Sequence, residues 1–331
     1  MAEFQKVRAR KKFRFLDALE KPIEVLIRLC GWSSIIGIAA IFLFIFKEAA
    51  PMVPKLDWIH FFTSARWIPN PAPGNPPSFG AWALLVGTFA TTFIALIIAV
   101  PVGLGAAVYI SEFARGKGKE TLKIVIELLA AIPSIVWGFI GLMVLGPIIK
   151  GIFTAAPGSA WGKIMVAFHL ATAETGASQG TNLLTGGVIL ALMSVPLIVS
   201  LSEDALRAVP DSFREAALAL GANTWETVRR VLFPAARNGL LAACMLGMGR
   251  AIGETMAVLL ATGHNNRIPE ALTDPVRTMT ATIAAEMGET VHGSEHYRVL
   301  FILGIVLFIA TCGINVASDL IVKGVKKANQ S

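Results

Sequence analysis

Six long apolar runs, separated by polar segments, form the main pattern of the chain. Each run has roughly 20 residues or more, enough for a helix to cross a hydrocarbon core of about 30 Å. Helix is the expected conformation, because a lone strand would leave its backbone groups unpaired in lipid. The runs therefore predict transmembrane helices at Val25–Phe46, Ala83–Ile110, Ile124–Ile149, Thr185–Ser202, Gly239–Ala261 and Val299–Val322.

The composition supports an all-α integral membrane protein. Of the 331 residues, 55% are hydrophobic and 15% are charged, whereas soluble domains usually have about 25% charged residues. The net charge of +7 comes from short segments between the apolar runs, so we expect membrane lipid and no nucleic acid as a partner. The cysteines and histidines lack the spacing of a metal site, and no metal is expected.

Lysine and arginine are concentrated in alternate connections, which predicts the orientation. The first, third and fifth polar segments and the C-terminal tail are basic, and the connections between them carry far fewer positive charges. The positive-inside rule then predicts a multi-pass protein of the inner membrane with both termini in the cytoplasm. We divide the chain into a basic N-terminal segment at 1–24, a transmembrane domain at 25–322 and a tail at 323–331. Two outer loops, at 66–80 and 172–182, are too short to be domains.

The cytoplasmic connection at residues 203–238 has helical signals of its own. Pro210 and Asp211 can begin a short helix, and Gly221 suits the left-handed residue that ends such a helix. The helix would have an apolar face of mostly small residues, formed by Phe213, Ala216, Ala217 and Leu220. Such a face packs either back against the bundle or into a groove of another protein, and the residues alone leave both open.

A second short helix is predicted after Gly221. Asn223 and Glu226 have the spacing of a capping box at its start, and Pro234 is expected to close it. The whole connection resembles the EAA loop of bacterial ABC-importer permeases, EAA-x3-G-x9-I-x-L-P. The matching positions are Glu215, Ala216, Ala217, Gly221 and Pro234, with Val231 and Phe233 as mild departures.

Further stretches resemble the phosphate-specific (Pst) permeases, in particular their C-type subunits. They are "SEDALRAVP" (Ser202–Pro210), "ELLAAIPSIVWGFIG" (Glu127–Gly141), "IALIIAVPVGLGAAVYISEFA" (Ile94–Ala114) and "GRAIGETMAV" (Gly249–Val258). The resemblance implies the type I ABC-importer permease fold, phosphate as substrate and a heterodimer with an A-type permease. It also implies two ATPase subunits, which the EAA loop couples to transport, and an extracytoplasmic phosphate-binding protein.

The chain itself is not expected to be an enzyme or to hold a cofactor. It contains no P-loop of the form GxxxxGK[ST], so ATP would be bound by the separate ATPase. Two other functions stay open from the residues: a permease for another oxyanion, such as sulfate or molybdate, or a membrane-embedded enzyme acting on lipid phosphate.

Arg250 and Glu254 are the candidate substrate-translocation residues. They lie within the fifth apolar run, where an arginine costs about 2.5–3.5 kcal/mol on insertion scales. In a continuous helix they would be four residues apart on one face and able to pair. One interpretation is a structural ion pair. In the other, Arg250 presents its guanidinium to a passing oxyanion and Glu254 orients it, as the Pst resemblance implies.

Overall fold

The computed structural model describes residues 2–154, 159–170 and 180–328, and their regular structure is almost entirely helical. The helices are α1 Ala2–Ala49, α2 Trp58–Thr63, α3 Trp82–Val108, α4 Gly116–Ala131, α5 Ser134–Ile140, α6 Gly146–Phe153, α7 Ala160–Ala167, α8 Leu183–Arg207, α9 Asp211–Ala219, α10 Thr224–Thr227, α11 Phe233–Gly253, α12 Met256–Ala261, α13 Met279–Met287 and α14 Glu295–Ala328. Three π-helical turns, wider than α-helical turns by one residue, occur at Tyr109–Phe113, Gly141–Leu145 and Val228–Leu232.

Among the described residues, six helices are long and apolar enough to cross a membrane, which confirms the predicted fold class. By length and composition they are Pro22–Ala49, Trp82–Phe113, Ser134–Phe153, Leu183–Arg207, Thr224–Gly253 and Glu295–Ala317. The first belongs to a compact unit of residues 1–54, in which α1 runs through Pro22 without a break, and the other five belong to a unit of residues 55–331.

The predicted loop at 172–182 lies outside the described residues except for 180–182. α14 covers the predicted tail as far as residue 328.

The third predicted span is wrong in its first part. The apolar run from Ile124 to Ile149 is not one helix, because α4 ends at Ala131 and α5 begins at Ser134. Between them Ile132 is extended, with φ −66° and ψ 125°. Pro133 explains this, since a proline lacks the amide hydrogen and disfavours the helical conformation in the residue before it. The span itself comprises α5, the second π turn and α6.

The core of the larger unit lies where α3, α8 and α11 meet, and small residues allow the close approach. A Cβ added to Gly103 of α3 would lie 2.7 Å from the side chain of Ile198 in α8. A Cβ on Gly247 of α11 would also lie 2.7 Å from Ile198. Ile198 is fully buried. One face of α11 is therefore fixed against α8.

Two opposite ends of this unit carry the polar features. Strands β1 (Trp67–Ile68) and β2 (Ser78–Phe79) form an antiparallel hairpin, in which Trp67 pairs with Phe79. We call this the hairpin end, and it includes the chain between α12 and α13. The other end, which we call the loop end, is formed by α9 and by α10, the first turn of the fifth span. The hairpin precedes the second span and the loop end follows the fourth. Three crossings separate the two ends, so they lie on opposite sides.

Candidate translocation site and coupling loop

The predicted fifth span, Gly239–Ala261, breaks at Glu254, so the expectation of a continuous helix there is wrong: the long helix Thr224–Gly253 ends just before this residue. Below, the fifth span means this long helix together with α12. α11 ends at Gly253, Glu254 is extended with φ −68° and ψ 136°, and α12 begins at Met256. The break has its own hydrogen bonds. The Glu254 carboxylate accepts one from the amide of Ala257, at 3.3 Å, and the Glu254 carbonyl accepts one from the hydroxyl of Thr280, at 2.6 Å.

Arg250 and Glu254 are close in sequence but do not form the expected ion pair. Arg250 lies in the last turn of α11 and its side chain is exposed, whereas Glu254 lies beyond the helix end and caps α12. Within residues 2–154, 159–170 and 180–328, Arg250 has no ion-pair or hydrogen-bond partner. Its position at the C-terminus of α11 is favourable for a positive charge. The geometry leaves the guanidinium available for a ligand or a partner chain.

The surface around Arg250 is made of glycine and is open. A Cβ added to Gly249 or Gly253 would meet no atom within 4 Å, unlike one added to Gly247 on the packed face. The described part of this chain therefore does not use the small size of Gly249 and Gly253 for its own packing. α11 presents Gly249, Arg250 and Gly253, with the exposed Leu246 one turn earlier, on a face that the described part of the chain leaves open.

Helix α13, which the sequence reasoning missed, lies against the break. Thr278 caps it by accepting a hydrogen bond from the amide of Ala281, at 3.2 Å, and Thr280 reaches Glu254 as described. The amide of Met279 donates to the hydroxyl of Thr88 in α3, at 3.0 Å. The signal in the sequence was Thr278 as a helix cap, but nine residues of mostly small side chains give no periodic pattern.

A part-buried polar network at the hairpin end converges on Glu286, the one charged residue of α13. Its carboxylate accepts hydrogen bonds from the indole of Trp67 at 3.1 and 2.9 Å, and it pairs with Arg277 and, at 2.7 Å, with the ring of His296. Asn266 closes the network, because its amide donates to the carbonyl of Trp67 at 2.8 Å and its oxygen accepts from Arg277 at 3.2 Å. The hairpin, α13 and the start of α14 are thus joined.

His264 lies beside this network and stays neutral at physiological pH. Gly263 and Val276 form a parallel bridge, which brings the next residues, His264 and Arg277, side by side. Burial, and then the positive charge of Arg277, lower the pKa of His264 to about 4, while the charge of Glu286 opposes the shift. Burial also lowers the pKa of Arg277, and Glu286 counteracts it.

At the loop end, the structure forms the first part of the predicted coupling loop. α9 begins at Asp211 after Pro210, and Gly221 has φ +83°, in the left-handed region expected of it. Asn223 and Glu226 form the capping box, with hydrogen bonds of 2.9 and 3.0 Å in the two directions. Both predictions of local structure are confirmed.

Pro234, in contrast, does not close the second helix, and that prediction is wrong. α10 continues through the π turn Val228–Leu232 directly into α11, where Pro234 lies in the first turn. A proline in a regular helix clashes with the carbonyl four residues earlier. The wider turn moves the preceding carbonyls, and the amide of Phe233 bonds to the carbonyl of Val228 instead. The loop is therefore continuous with the fifth span.

The faces of α9 divide between the bundle and solvent. Ala217 is buried, whereas Glu215 and Ala216 are exposed. Large apolar side chains on α9, α10 and the corner between them are also exposed: Phe213, Leu218, Leu220 and Trp225. Leu220 is 90% exposed, which is typical of an apolar residue that contacts another protein.

Arg214 fastens α9 to two spans. Its guanidinium forms two hydrogen bonds to Glu112, at the end of the second span, with distances of 3.0 and 3.3 Å. It also donates to the carbonyls of Leu206 at 2.9 Å and Val209 at 2.8 Å, at the end of the fourth span. Its fourth partner, at 3.1 Å, is the exposed Asp211. The hydrogen bond with Glu112 raises the pKa of Arg214, so its charge is permanent.

Comparisons with known proteins agree with this architecture. The model of a family described as "Binding-protein-dependent transport system inner membrane component" matches residues 99–328. The phosphate transport system permease protein PstC of Mesorhizobium japonicum is 40% identical over 255 residues, 76% of this chain and 74% of that protein. The probable ABC transporter permease protein YqgH of Bacillus subtilis is 35% identical over 288 residues, 86% and 85% of the two chains.

Solved structures show the same fold at low sequence identity. An inward-facing structure of the MetNI methionine ABC transporter has a TM-score of 0.53 at 20% identity and covers 74% of this chain and 96% of its own. A bacterial ABC transporter that imports the acidic polysaccharide alginate has a TM-score of 0.53 at 13% identity, with coverages of 88% and 94%. The fold is thus that of a type I ABC-importer permease. The chain belongs to the family of inner membrane components of binding-protein-dependent transport systems.

Proposed function

We propose that the chain is a permease subunit of an ATP-driven importer that carries inorganic phosphate across the inner membrane. The observation that carries the proposal is the break in the fifth span, where Arg250 is exposed and the carboxylate of Glu254 lies beyond the helix end. Unwound backbone at membrane depth is tolerated only when it is buried in protein or lines a water-filled cavity. A charged residue within a span is likewise expected to face the translocation path.

The two side chains are suited to phosphate. A guanidinium can bind two oxygens of a phosphate at once. An ionised carboxylate can only accept hydrogen bonds, and phosphate retains a P–OH donor near neutral pH, whereas sulfate has lost its protons. Glu254 therefore favours phosphate over sulfate. The PstC name of the relative from Mesorhizobium japonicum supports the same substrate.

The exposed face of α11 would be covered by a second permease subunit. Arg250, Gly249 and Gly253 cannot face lipid alone, because the arginine would be unpaired in hydrocarbon, and glycines allow another helix to approach closely. An A-type phosphate permease would cover this face and enclose the path. A phosphate-binding protein would deliver the substrate at the hairpin end.

The loop end would face the cytoplasm and dock on the ATPase. The basic connections lie on this side, in agreement with the positive-inside rule, and both termini would share it. The exposed apolar residues of α9 and α10 would enter a groove of one of two ATPase subunits, with Glu215 and Ala216 at the surface. ATP would be bound and hydrolysed there, and this chain would contribute no cofactor or catalytic residue.

Uptake of radiolabelled phosphate by the reconstituted complex, with the binding protein present, tests the proposal. Arg250→Gln should abolish uptake while the complex assembles normally, because glutamine keeps the polarity but loses the charge. Arg267→Gln is the matched control, since Arg267 is also an exposed arginine but lies outside the break. Normal uptake by Arg250→Gln would contradict the proposed site.

Competition separates the substrates. An excess of unlabelled phosphate should suppress uptake, and an excess of sulfate or molybdate should not. Stronger suppression by either of these oxyanions than by phosphate would assign the permease to that oxyanion instead.

A further inference from the structure

The hydroxyl of Thr280 supplies the partner that the break in the fifth span requires. When a helix stops inside a membrane, its last carbonyls lose their partners within the helix, and each unpaired group is costly. The carbonyl of Glu254 lies at this point, and the hydroxyl of Thr280 donates to it at 2.6 Å. The Thr280 residue is only 7% exposed, so water competes little for this hydrogen bond.

The direction of the hydrogen bonds around Thr280 is fixed by the number of protons. The oxygens of Thr278 and Thr280 are 3.2 Å apart, and each hydroxyl has a single proton. Because the Thr280 proton is committed to the carbonyl of Glu254, Thr278 is the donor between the two. Thr278 also accepts from the amide of Ala281. The chain of hydrogen bonds therefore runs from the cap of α13 to the break.

The opposite end of α13 is fixed as well. The carboxylate of Glu286 contacts Trp67 of the hairpin, Arg277 of the preceding segment and His296 of α14. Nine helical residues span about 13 Å, and both ends of this short rod have partners that are distant in sequence. Thr280 is thus held from both ends of α13, at its start by the bond of the Met279 amide to Thr88 and at its other end by Glu286.

We propose that Thr280 is a positioning residue for the translocation site: by holding the Glu254 carbonyl, it fixes the unwound segment and so the directions of the Arg250 and Glu254 side chains. The functional part rests on the proposed role of that pair in phosphate transport. The hydrogen bond itself is independent of the substrate. This separation allows the two ideas to be tested apart.

Amide hydrogen exchange and phosphate uptake, measured on the same assembled complex, form the test. Thr280→Val keeps the shape but removes the donor, and exchange in residues 254–258 should rise about fivefold, the factor of one ordinary hydrogen bond. Uptake should show a raised KM for phosphate. Thr280→Ser should restore both values, because serine retains the hydroxyl.

Thr282→Val is the matched control. Thr282 is also in α13 and fully buried, but its hydroxyl bonds to the carbonyl of Thr278 at 2.8 Å and does not contact the break. It should leave exchange at residues 254–258 unchanged. Unchanged exchange in Thr280→Val, an equal rise in Thr282→Val or no recovery in Thr280→Ser would each overturn the proposal.

The two measurements distinguish the failure of each idea. Faster exchange with a normal KM would support Thr280 as the residue that holds the break but would overturn its role in positioning the translocation site. Normal uptake by Arg250→Gln is the separate outcome that would contradict phosphate binding there. If Thr280→Val does not assemble, amide exchange in residues 254–258 is compared between Thr280→Ala and Thr280→Ser. Faster exchange in the alanine variant alone supports the proposal. Equal exchange in the two variants overturns it.

Discussion

The fifth span contains two irregular segments that behave in opposite ways. At the loop end, the π turn Val228–Leu232 and Pro234 leave the helix continuous from α10 into α11. In the other half of the span, Glu254 separates α11 from α12, although no proline is present there. The continuous end can transmit movement as one rigid piece, whereas the broken end exposes backbone and charge.

The difference shows that tertiary partners decide where a span breaks. Pro234 is tolerated because a wider turn relieves its clash and because proline is compatible with the first turn of a helix. The break at Glu254 is possible because Thr280 and the carboxylate of Glu254 itself satisfy the freed backbone groups. Helix propensity is a weak guide when such partners are available.

Exchanging the two charges at the break has the largest expected effect. In Arg250→Glu combined with Glu254→Arg, the guanidinium moves from α11 to the extended residue beyond it, about 6 Å along the chain. The exchange keeps both charges at the break and changes only which position carries the guanidinium. We expect phosphate uptake to fall at least about 100-fold, as for the loss of two charged hydrogen bonds.

Near-normal uptake by the exchanged protein would contradict the substrate site and leave the two residues with a structural role. Intact assembly, measured by copurification of the complex, is the control for misfolding.

Loosening the loop end at Arg214 is the next largest change. Arg214→Ala removes the contacts to Glu112 and to the carbonyls of Leu206 and Val209, so movement of α9 would no longer pass to the second and fourth spans. We expect uptake to fall about tenfold, the factor of roughly 1.4 kcal/mol, because α9 can still dock on the ATPase and only its coupling to the two spans is weakened. The exposed face of α9 is unchanged, so the ATPase should still copurify and hydrolyse ATP.

Asp211→Asn is the control for this variant, because it removes only the exposed arm of the same network. Its uptake should stay within about twofold of the wild type, as for most surface ion pairs. If uptake falls equally in Arg214→Ala and Asp211→Asn, the contacts of Arg214 with Glu112, Leu206 and Val209 do not transmit movement of α9 to the spans.

Gly221→Val tests the corner between α9 and α10 with a smaller effect. A Cβ at this position meets nothing within 4 Å, so any loss comes from the backbone. A left-handed conformation costs roughly 1–2 kcal/mol for most residues, and valine is among the least tolerant. Uptake should fall severalfold with normal membrane insertion, and Gly221→Asn should be milder because asparagine tolerates this conformation.

Wild-type uptake by Gly221→Val would show that the coupling loop does not require the left-handed corner.

The smallest effect is on the pH dependence of stability, through His264 beyond α12. The pKa of His264 is lowered to about 4 in the folded protein, against about 6.5 when unfolded. The unfolded chain therefore binds the proton first, and the contribution to stability is complete above about pH 6.5 and lost as the pH falls towards 4. Glutamine at position 264 does not titrate. Between about pH 6.5 and 4, the unfolding temperature of His264→Gln should therefore fall by a few degrees less than that of the wild type.

If the unfolding temperatures of the wild type and of His264→Gln fall in parallel with pH, His264 is exposed to solvent in the complex.

The sequence predicts the larger features of the molecule well because each depends on a long or local signal. The six spans follow from apolar runs of roughly 20 residues, and their existence does not depend on how they pack. Gly221 and the capping box of Asn223 and Glu226 depend on neighbours within three or four residues. These signals are complete within the segment that they describe.

What the sequence could not show depends on contacts between distant segments. The break at Glu254 depends on Thr280, which lies 26 residues further on, and the network of Glu286 includes Trp67, 219 residues earlier. The pairing of Arg250 with Glu254 was predicted wrongly for the same reason, because it assumed that the helix continues. The exposed position of Arg250 beside two open glycines likewise required the packing of α11 on α8.

The π turn at Val228–Leu232 has a consequence for how the chain length can vary. Such a turn holds one residue more than the α-helical turn it replaces, so it is in effect a stored insertion. Removing one residue there would restore a regular helix and keep its two sides in phase. The same deletion within α11 would rotate everything beyond it by about 100°. A chain shortened by one residue at this place can therefore keep the direction of Arg250 if Pro234 is replaced as well, because a regular helix would restore the clash of that proline. Phosphate uptake by a protein that lacks Val231 and carries Pro234→Ala would demonstrate it.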